Sequence, residues 1–527
     1  MNIRPGKALL AAAGLLFLAA VGCTDPTVAP KSTVTTANIF SDQNSYKAFL
    51  AKVYAGLAVS GQQGAAGNGD ISGIDEGFSQ YLRLYWEHQE LPTDEAVIGW
   101  GDIGLPEMNT ATWTSQSNMV VAMYYRIFFQ VGMANEFLRQ TTDGALAGRG
   151  VATGSSLYNA VQGFRAEARF LRALSYWHGI DLFGSIPLLT ENDALGATPP
   201  QQATRQAIYD FVVSELNAIK TLLPAPSAST YGRATTAAAN MLLAKVYMNA
   251  QVYTGTQHWT DAMTAIQAVI AAPFSLAPKY RNNFLADNNT SPEIIFPVIS
   301  DGVHTQTWGG MTFLIHATCG GSMNNNDYGI NGCWWGIRLK QQAYNNYAAG
   351  DTARTSFFYT TGQSVNVGAI GDWAQGIAAP KYSNKTSTGA NGSDAGFPDT
   401  DFPMFRLADA YLMYAEAFLR GGGGSQAQAL SYVNAIRARS YGGTAGDITA
   451  AQMTLPFILA ERGRELLWEG HRRSDLIRFE LFSGNTYVWA WKGGVAAGTT
   501  LASTYNLYPL PANELIANPN LQQNPGY

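Results

Sequence analysis

Charge is scarce in this chain. Asp, Glu, Lys and Arg together make only 13% of 527 residues, where a soluble globular protein usually carries about 25%. The net charge is -5, so there is no basic excess to neutralise a phosphate backbone, and no nucleic-acid partner is expected. Cysteine is rarer still, with three residues, too few for a disulfide-built scaffold. The six histidines (His88, His178, His258, His304, His316 and His471) are scattered. No HExxH and no clustered Cys/His spacing occurs, so no metal site is expected. Asp287-Asn288-Asn289 offers oxygens for calcium but reads better as a turn. A phosphate loop of the GxxxxGK[ST] type and a GxSxG elbow are both missing. Beyond the N-terminus no run is long and apolar enough to span a bilayer. What the chain does have is a 46% hydrophobic fraction, which argues against disorder, and many aromatic rings, with 12 Trp and 26 Tyr.

The N-terminus is the exception to the lack of apolar runs. Arg4 and Lys7 precede Ala8–Gly22, an apolar stretch of signal-peptide length. It ends in Ala20-Val21-Gly22-Cys23, small residues before a cysteine, which resembles a bacterial lipobox. Ala20 departs from the usual leucine there, and an ordinary secretory signal with an incidental cysteine is the alternative. The expectation is a lipoprotein signal peptide over 1–22, lipidation at Cys23, and a polar, proline-bearing tether over 23–38. Cys319 and Cys333 then remain, flanking a loop short on core formers. They form either a disulfide in an oxidising compartment or two buried thiols.

Helical periodicity dominates on both sides of a loop-rich middle. Phe164–Leu189 (FRAEARFLRALSYWHGIDLFGSIPLL) places Ala166, Phe170, Ala173, Trp177 and Ile180 on one apolar stripe, with Arg165, Arg169 and Arg172 beside it. Further helices are expected at Asn44–Val59, Phe78–Glu90, Asn118–Arg139, Thr204–Leu223, Ala234–Ala250, His258–Ile270, Phe405–Arg420, Ala427–Arg439 and Leu455–Phe479. Thr204–Leu223, Ala234–Ala250 and His258–Ile270 pair in the manner of helical repeats of about 34 residues. Thr93–Ser115 shows almost no periodicity. From about 274 to 400 the chain is rich in Gly, Asn, Thr and aromatics. Glu293–Ile299 is its clearest strand, with Pro297 arguing for an edge, and Arg338–Tyr347 reads as a short helix. A final stretch from 481 to 527 reads as extended.

Two kinds of residue invite a chemical reading. Glu461 and Glu465 lie one helical turn apart, but a glycosidase pair must face itself across a substrate. Ion pairing with the arginines of the Phe164–Leu189 helix is the better expectation. Aromatics in loops are the stronger lead, because sugar rings present flat C–H faces that stack on indole and phenol. The candidates are Trp100 beside Asp102, Trp113, Trp308, Tyr328, Trp334, Trp335 and Trp373. Trp177 and Trp468, within helices, are expected to be core.

Four separated stretches carry a family resemblance, in order: the Phe164–Leu189 helix; Phe405–Arg420; Glu461-Arg462 through Glu469-Gly470-His471-Arg472 and Asp475-Leu476; and a tail with Pro511, Glu514, Asn518-Pro519 and Gln523–Tyr527. They resemble the SusD/RagB family of outer-membrane nutrient-binding lipoproteins. The resemblance implies a mainly α fold, a tetratricopeptide-like helix-pair scaffold with a loop-rich section containing short strands. One such domain would cover 39–527: scaffold at about 39–273 and 401–480, ligand-facing loops at about 274–400, and a tail at about 481–527. It also implies a non-catalytic protein without cofactor, lipid-anchored at the outer membrane and exposed at the cell surface. Such a protein captures oligosaccharide and passes it to a SusC-like TonB-dependent transporter. A peptide-binding RagB-like member is the alternative, and a secreted carbohydrate hydrolase a more distant one.

Overall fold

The computed structural model describes residues 40, 42–66, 69–194, 196 and 198–527. Cys23, the 1–22 segment and the 23–38 tether lie outside the described residues. The scaffold is helical. Its principal helices are α1 (Gln43–Ala58), α2 (Tyr81–Glu90), α3 (Asn118–Gln140), α4 (Ser156–Leu182), α5 (Arg205–Ile219), α6 (Thr236–Met248), α7 (Trp259–Ile270), α8 (Leu407–Leu419), α9 (Gln426–Tyr441), α10 (Leu455–Glu465) and α11 (Arg472–Arg478). From α3 to α9 each helix packs on the next in sequence, as stacked helix pairs require. Several start at a hydroxyl cap: Ser155, Thr204, Thr235 and Thr454 each accept from a backbone N–H three residues on.

Helix α4 lies at the centre. Phe170, Trp177, Ala166, Ala173 and Ile180 are all buried. Its arginines staple it to its neighbours. Arg169 grips Glu215 of α5 through two bonds of 3.0 and 2.7 Å, and Arg172 reaches Glu215, Glu191 and Asn135 of α3. Arg165 donates to the carbonyl of Leu138. This overturns the expected partnership with the Glu461–Arg478 segment: the α4 arginines are taken up by α3, α5 and the turn after α4.

The carboxylates of that segment are neutralised elsewhere. Arg406 donates to Glu293, Glu465 and Glu469 over 2.6–2.8 Å, and all four side chains are buried. Arg439 also bonds Glu293 and Glu465. Arg354 and Arg437 hold Glu461, and Lys381 holds Glu469. Glu461 and Glu465 are therefore bound into the interior and face no cleft. The guanidinium groups hold the carboxyls of Glu293 and Glu461 down to about 2 despite burial. Depressed carboxyls contribute stability that is present above their unfolded value of about 4.5 and lost as pH falls towards 2. At about 1.4 kcal/mol per pH unit each contributes about 3 kcal/mol. Buried His88 and His178, pushed down to about 3, lose stability in the same direction. Unfolding followed by circular dichroism is expected to show stability falling below about pH 6.5, where the histidines of the unfolded chain begin to protonate, and falling most steeply between about pH 4.5 and 3, where both groups contribute.

The expected single helix over Leu455–Phe479 is two. The break falls between α10 and α11, where Trp468 takes φ +60°. The turn sends Trp468 into the core, edge-on to Trp86 at 6.1 Å, and places Glu469 against Arg406. Phe405 also departs from the expected helix. It lies in strand β4 (Phe402–Arg406), which pairs antiparallel with β2 (Ile294–Val298), while helix begins at Leu407. Arg338–Tyr347 divides into β3 (Ile337–Leu339) and a short helix, Gln341–Asn345. The aperiodic 93–115 stretch supplies β1 (Ala96–Ile98) and the helix Leu105–Thr110, and the tail includes the helix Ala512–Ala517. No described helix is long and apolar enough to cross a membrane.

Candidate aromatic binding site

The site is built on the ladder between β1 and β3. Ala96 faces Leu339, Val97 faces Arg338 and Ile98 faces Ile337, and Gly99 continues the pairing by donating to the Gly336 carbonyl at 3.0 Å. This register brings two sequence-distant loops together at one end, Gly99–Asp102 and Cys333–Gly336. Trp334, Trp335 and Gly336 donate in turn to the carbonyls of His316, Cys319 and Ala317, each at 2.9 Å. Cys319 and Cys333 are joined by a disulfide, with Cα atoms 4.7 Å apart. The loop it closes, with a sequence separation of 14, corresponds to about 3 kcal/mol of chain-entropy stabilisation. Cys319→Ser is expected to cost about that much in urea titrations, and the loss should equal that caused by reductant on the unaltered chain.

Five of the candidate tryptophans gather around this bridge. The Trp100 indole donates to the Trp334 carbonyl at 3.0 Å, with ring centroids 6.2 Å apart. Trp334 stacks on His316 at 4.6 Å and lies 6.2 Å from Trp308, which in turn meets Phe397 at 4.8 Å. Trp335 and Trp373 form a second pair at 6.0 Å. Close approach depends on small residues: a Cβ at Gly336 would come within 2.8 Å of the Trp100 ring, and one at Gly320 within 2.7 Å of Trp373. Trp335 is 50% exposed and Trp308 40%. Trp335 also takes φ +59°, a left-handed conformation that costs a side-chain-bearing residue about 1–2 kcal/mol.

Polar groups brace the cluster from below. Arg338 is buried under Trp373 and donates to the carbonyls of Gln375, Gly336 and Ile370, tying three loops together. Burial pushes its guanidinium down to about 10. Lys340, at the far end of the ladder, donates to the carbonyls of Leu91 and Thr93, and burial pushes its ammonium down to about 7. Arg83 lies between the rings of Phe78 and Phe313, 3.9 and 4.1 Å from their centroids, and 5.8 Å from that of Trp100. Sequence reasoning did not single out Arg83, Phe313, His316, Arg338 or Phe397. Nothing local distinguishes them, since their role follows from the β1–β3 register.

The remaining candidates lie apart. Asp102 is exposed on the loop after Trp100. Trp113 is 1% exposed and bonded to Tyr527, so it offers no free face. Tyr328 is half-buried at the end of a 3-10 turn, its carbonyl accepting from Asn384 at 2.9 Å. Asp287 and Asn288 spend their side-chain oxygens on Ser387 and Asp401, as a turn does.

Comparison with known proteins gives this arrangement a family. Residues 335–527 match the family model described as SusD family, and residues 98–248 match one described as starch-binding associating with outer membrane. The starch-binding protein SusD of Bacteroides thetaiotaomicron is 33% identical, the match covering 90% of this chain and 91% of that protein. SusD-like protein P2 of Formosa agariphila is 27% identical over 80% of this chain and 83% of its own. In fold, the chain is similar to surface glycan-binding protein A of B. thetaiotaomicron, solved in complex with laminarihexaose. The TM-score is 0.70 at 20% identity, covering 91% of this chain and 99% of that one. A laminarin-binding SusD-like protein matches with a TM-score of 0.69 at 21% identity, covering 93% and 100%. With one such relative matched across nine-tenths of both chains, this chain belongs to the SusD family.

Proposed function

We propose that the protein is a non-catalytic glycan-binding protein that captures a neutral oligosaccharide on the Trp100–Trp308–Trp334–Trp335–Trp373 cluster. The observation that carries this reading is Trp335, a half-exposed indole in strained backbone beside a second indole. Its flat face suits the C–H face of a pyranose. The sequence similarity to a starch-binding protein favours an α-glucan. Lipidation at Cys23 would anchor the protein at the outer membrane, and a SusC-like TonB-dependent transporter would receive the ligand.

Isothermal titration with maltoheptaose, laminarihexaose and a peptide panel tests the reading. Saturable heat with maltoheptaose and tryptophan fluorescence quenching are expected. Binding to peptides alone would place the protein in the peptide-binding branch instead.

A further inference from the structure

A recess of about 370 Å³ shares no residue with the tryptophan cluster. Its size falls at the lower end of ligand cavities, roughly 300–1,000 Å³. Buried Trp113 supports it. The Trp113 indole donates to the Tyr527 hydroxyl at 2.8 Å, and that hydroxyl donates on to the Leu507 carbonyl at 2.8 Å. Tyr505 is pinned edge-on against the Trp113 ring at 5.4 Å. Tyr505 and Tyr527 then stand 6.0 Å apart with planes at 78°, both half-buried. Gly526 takes φ +96°, and a Cβ there would strike the Thr504 side chain, so the chain can close the corner only with glycine. The result is a rigid right-angled pair of phenol rings whose ordering is complete before any ligand arrives.

The chemistry of the lining narrows the ligand. The side-chain hydroxyls of Ser115, Thr504 and Tyr505 make no hydrogen bond among the described residues, and Thr114 adds a further hydroxyl at the rim. No lining side chain carries a positive charge, so a phosphorylated or acidic ligand would gain no counter-charge. A flat ring face, a perpendicular wall and free hydroxyls suit a neutral pyranose. We infer that the Tyr505–Tyr527 recess is a second saccharide site, taking one or two neutral hexose units of a longer glycan. This rests on the glycan-binding reading above. Two sites on one protein raise apparent affinity for a polymer without any new contact at the first.

The experiment compares Tyr505→Ala and Ser115→Trp, which fills the recess, with Trp335→Ala. Affinity gel electrophoresis in amylopectin reads polymer binding, and titration with maltotriose reads the tighter of the two sites, the cluster. Both recess variants are expected to weaken amylopectin retention threefold to tenfold while keeping the maltotriose affinity of the cluster within twofold. Trp335→Ala is expected to weaken maltotriose binding about 10- to 100-fold and to keep a residual amylopectin retention that adding Tyr505→Ala abolishes. The inference is overturned if both recess variants are retained like the unaltered protein. If the unaltered protein binds neither glycan, the glycan-binding reading itself fails. Loss in Tyr505→Ala with none in Trp335→Ala would move the principal site to the recess.

Discussion

Arg406→Ala is expected to destabilise the protein by about 3–5 kcal/mol, because it leaves buried carboxylates without their counter-charge. Arg406 bonds Glu293, Glu465 and Glu469 together, and these come from the start of β2, the end of α10 and the turn after it. Arg439 and Lys381 remain on the same carboxylates, but neither reaches all three. The urea midpoint should fall by the corresponding amount. Glycan affinity of the folded protein should not change, since the network makes no hydrogen bond to the tryptophan loops. A loss of affinity at unchanged stability would contradict the assignment of this cluster to the scaffold.

Trp335 should behave in the opposite way. Trp335→Ala is expected to weaken oligosaccharide binding about 10- to 100-fold, or about 1.4–2.7 kcal/mol, the range for truncating an aromatic anchor. Stability should hardly suffer, because the ring is half exposed. Trp335→Gly goes further: glycine accepts φ +59° without penalty, so its melting temperature should equal or exceed that of the unaltered chain while binding is lost. Loss of activity with gain of stability is the signature of strain kept for function. Titration calorimetry beside thermal melts checks both halves.

The contrast between these residues also separates what the sequence makes legible from what it hides. Most of helices α3 to α9 are legible because their apolar residues recur at the helical period, as Ala166, Phe170 and Trp177 do on α4, although α6 is buried on nearly all sides. The break at Trp468 was not legible. Its cause is non-local, a rotation that brings Glu469 to Arg406, more than sixty residues away in sequence. The arginine partners were mistaken for a similar reason: charge can be counted along a chain, but which carboxylate an arginine meets is decided by the neighbouring helix. Five of the tryptophans named from their loops do come together. That they meet at all depends on the β1–β3 register, and three-residue strands leave almost no periodic trace. Trp113 shows the limit of composition, since a polar loop around an indole gives no sign that Tyr505 and Tyr527 cover it.

The most direct measurement is a crystal structure with maltoheptaose bound. A glucose ring is expected to lie flat on Trp335, with neighbouring units running along the Trp100–Trp334–Trp308 side of the Cys319–Cys333 bridge. Density for the sugar elsewhere, with these indoles left bare, would contradict it.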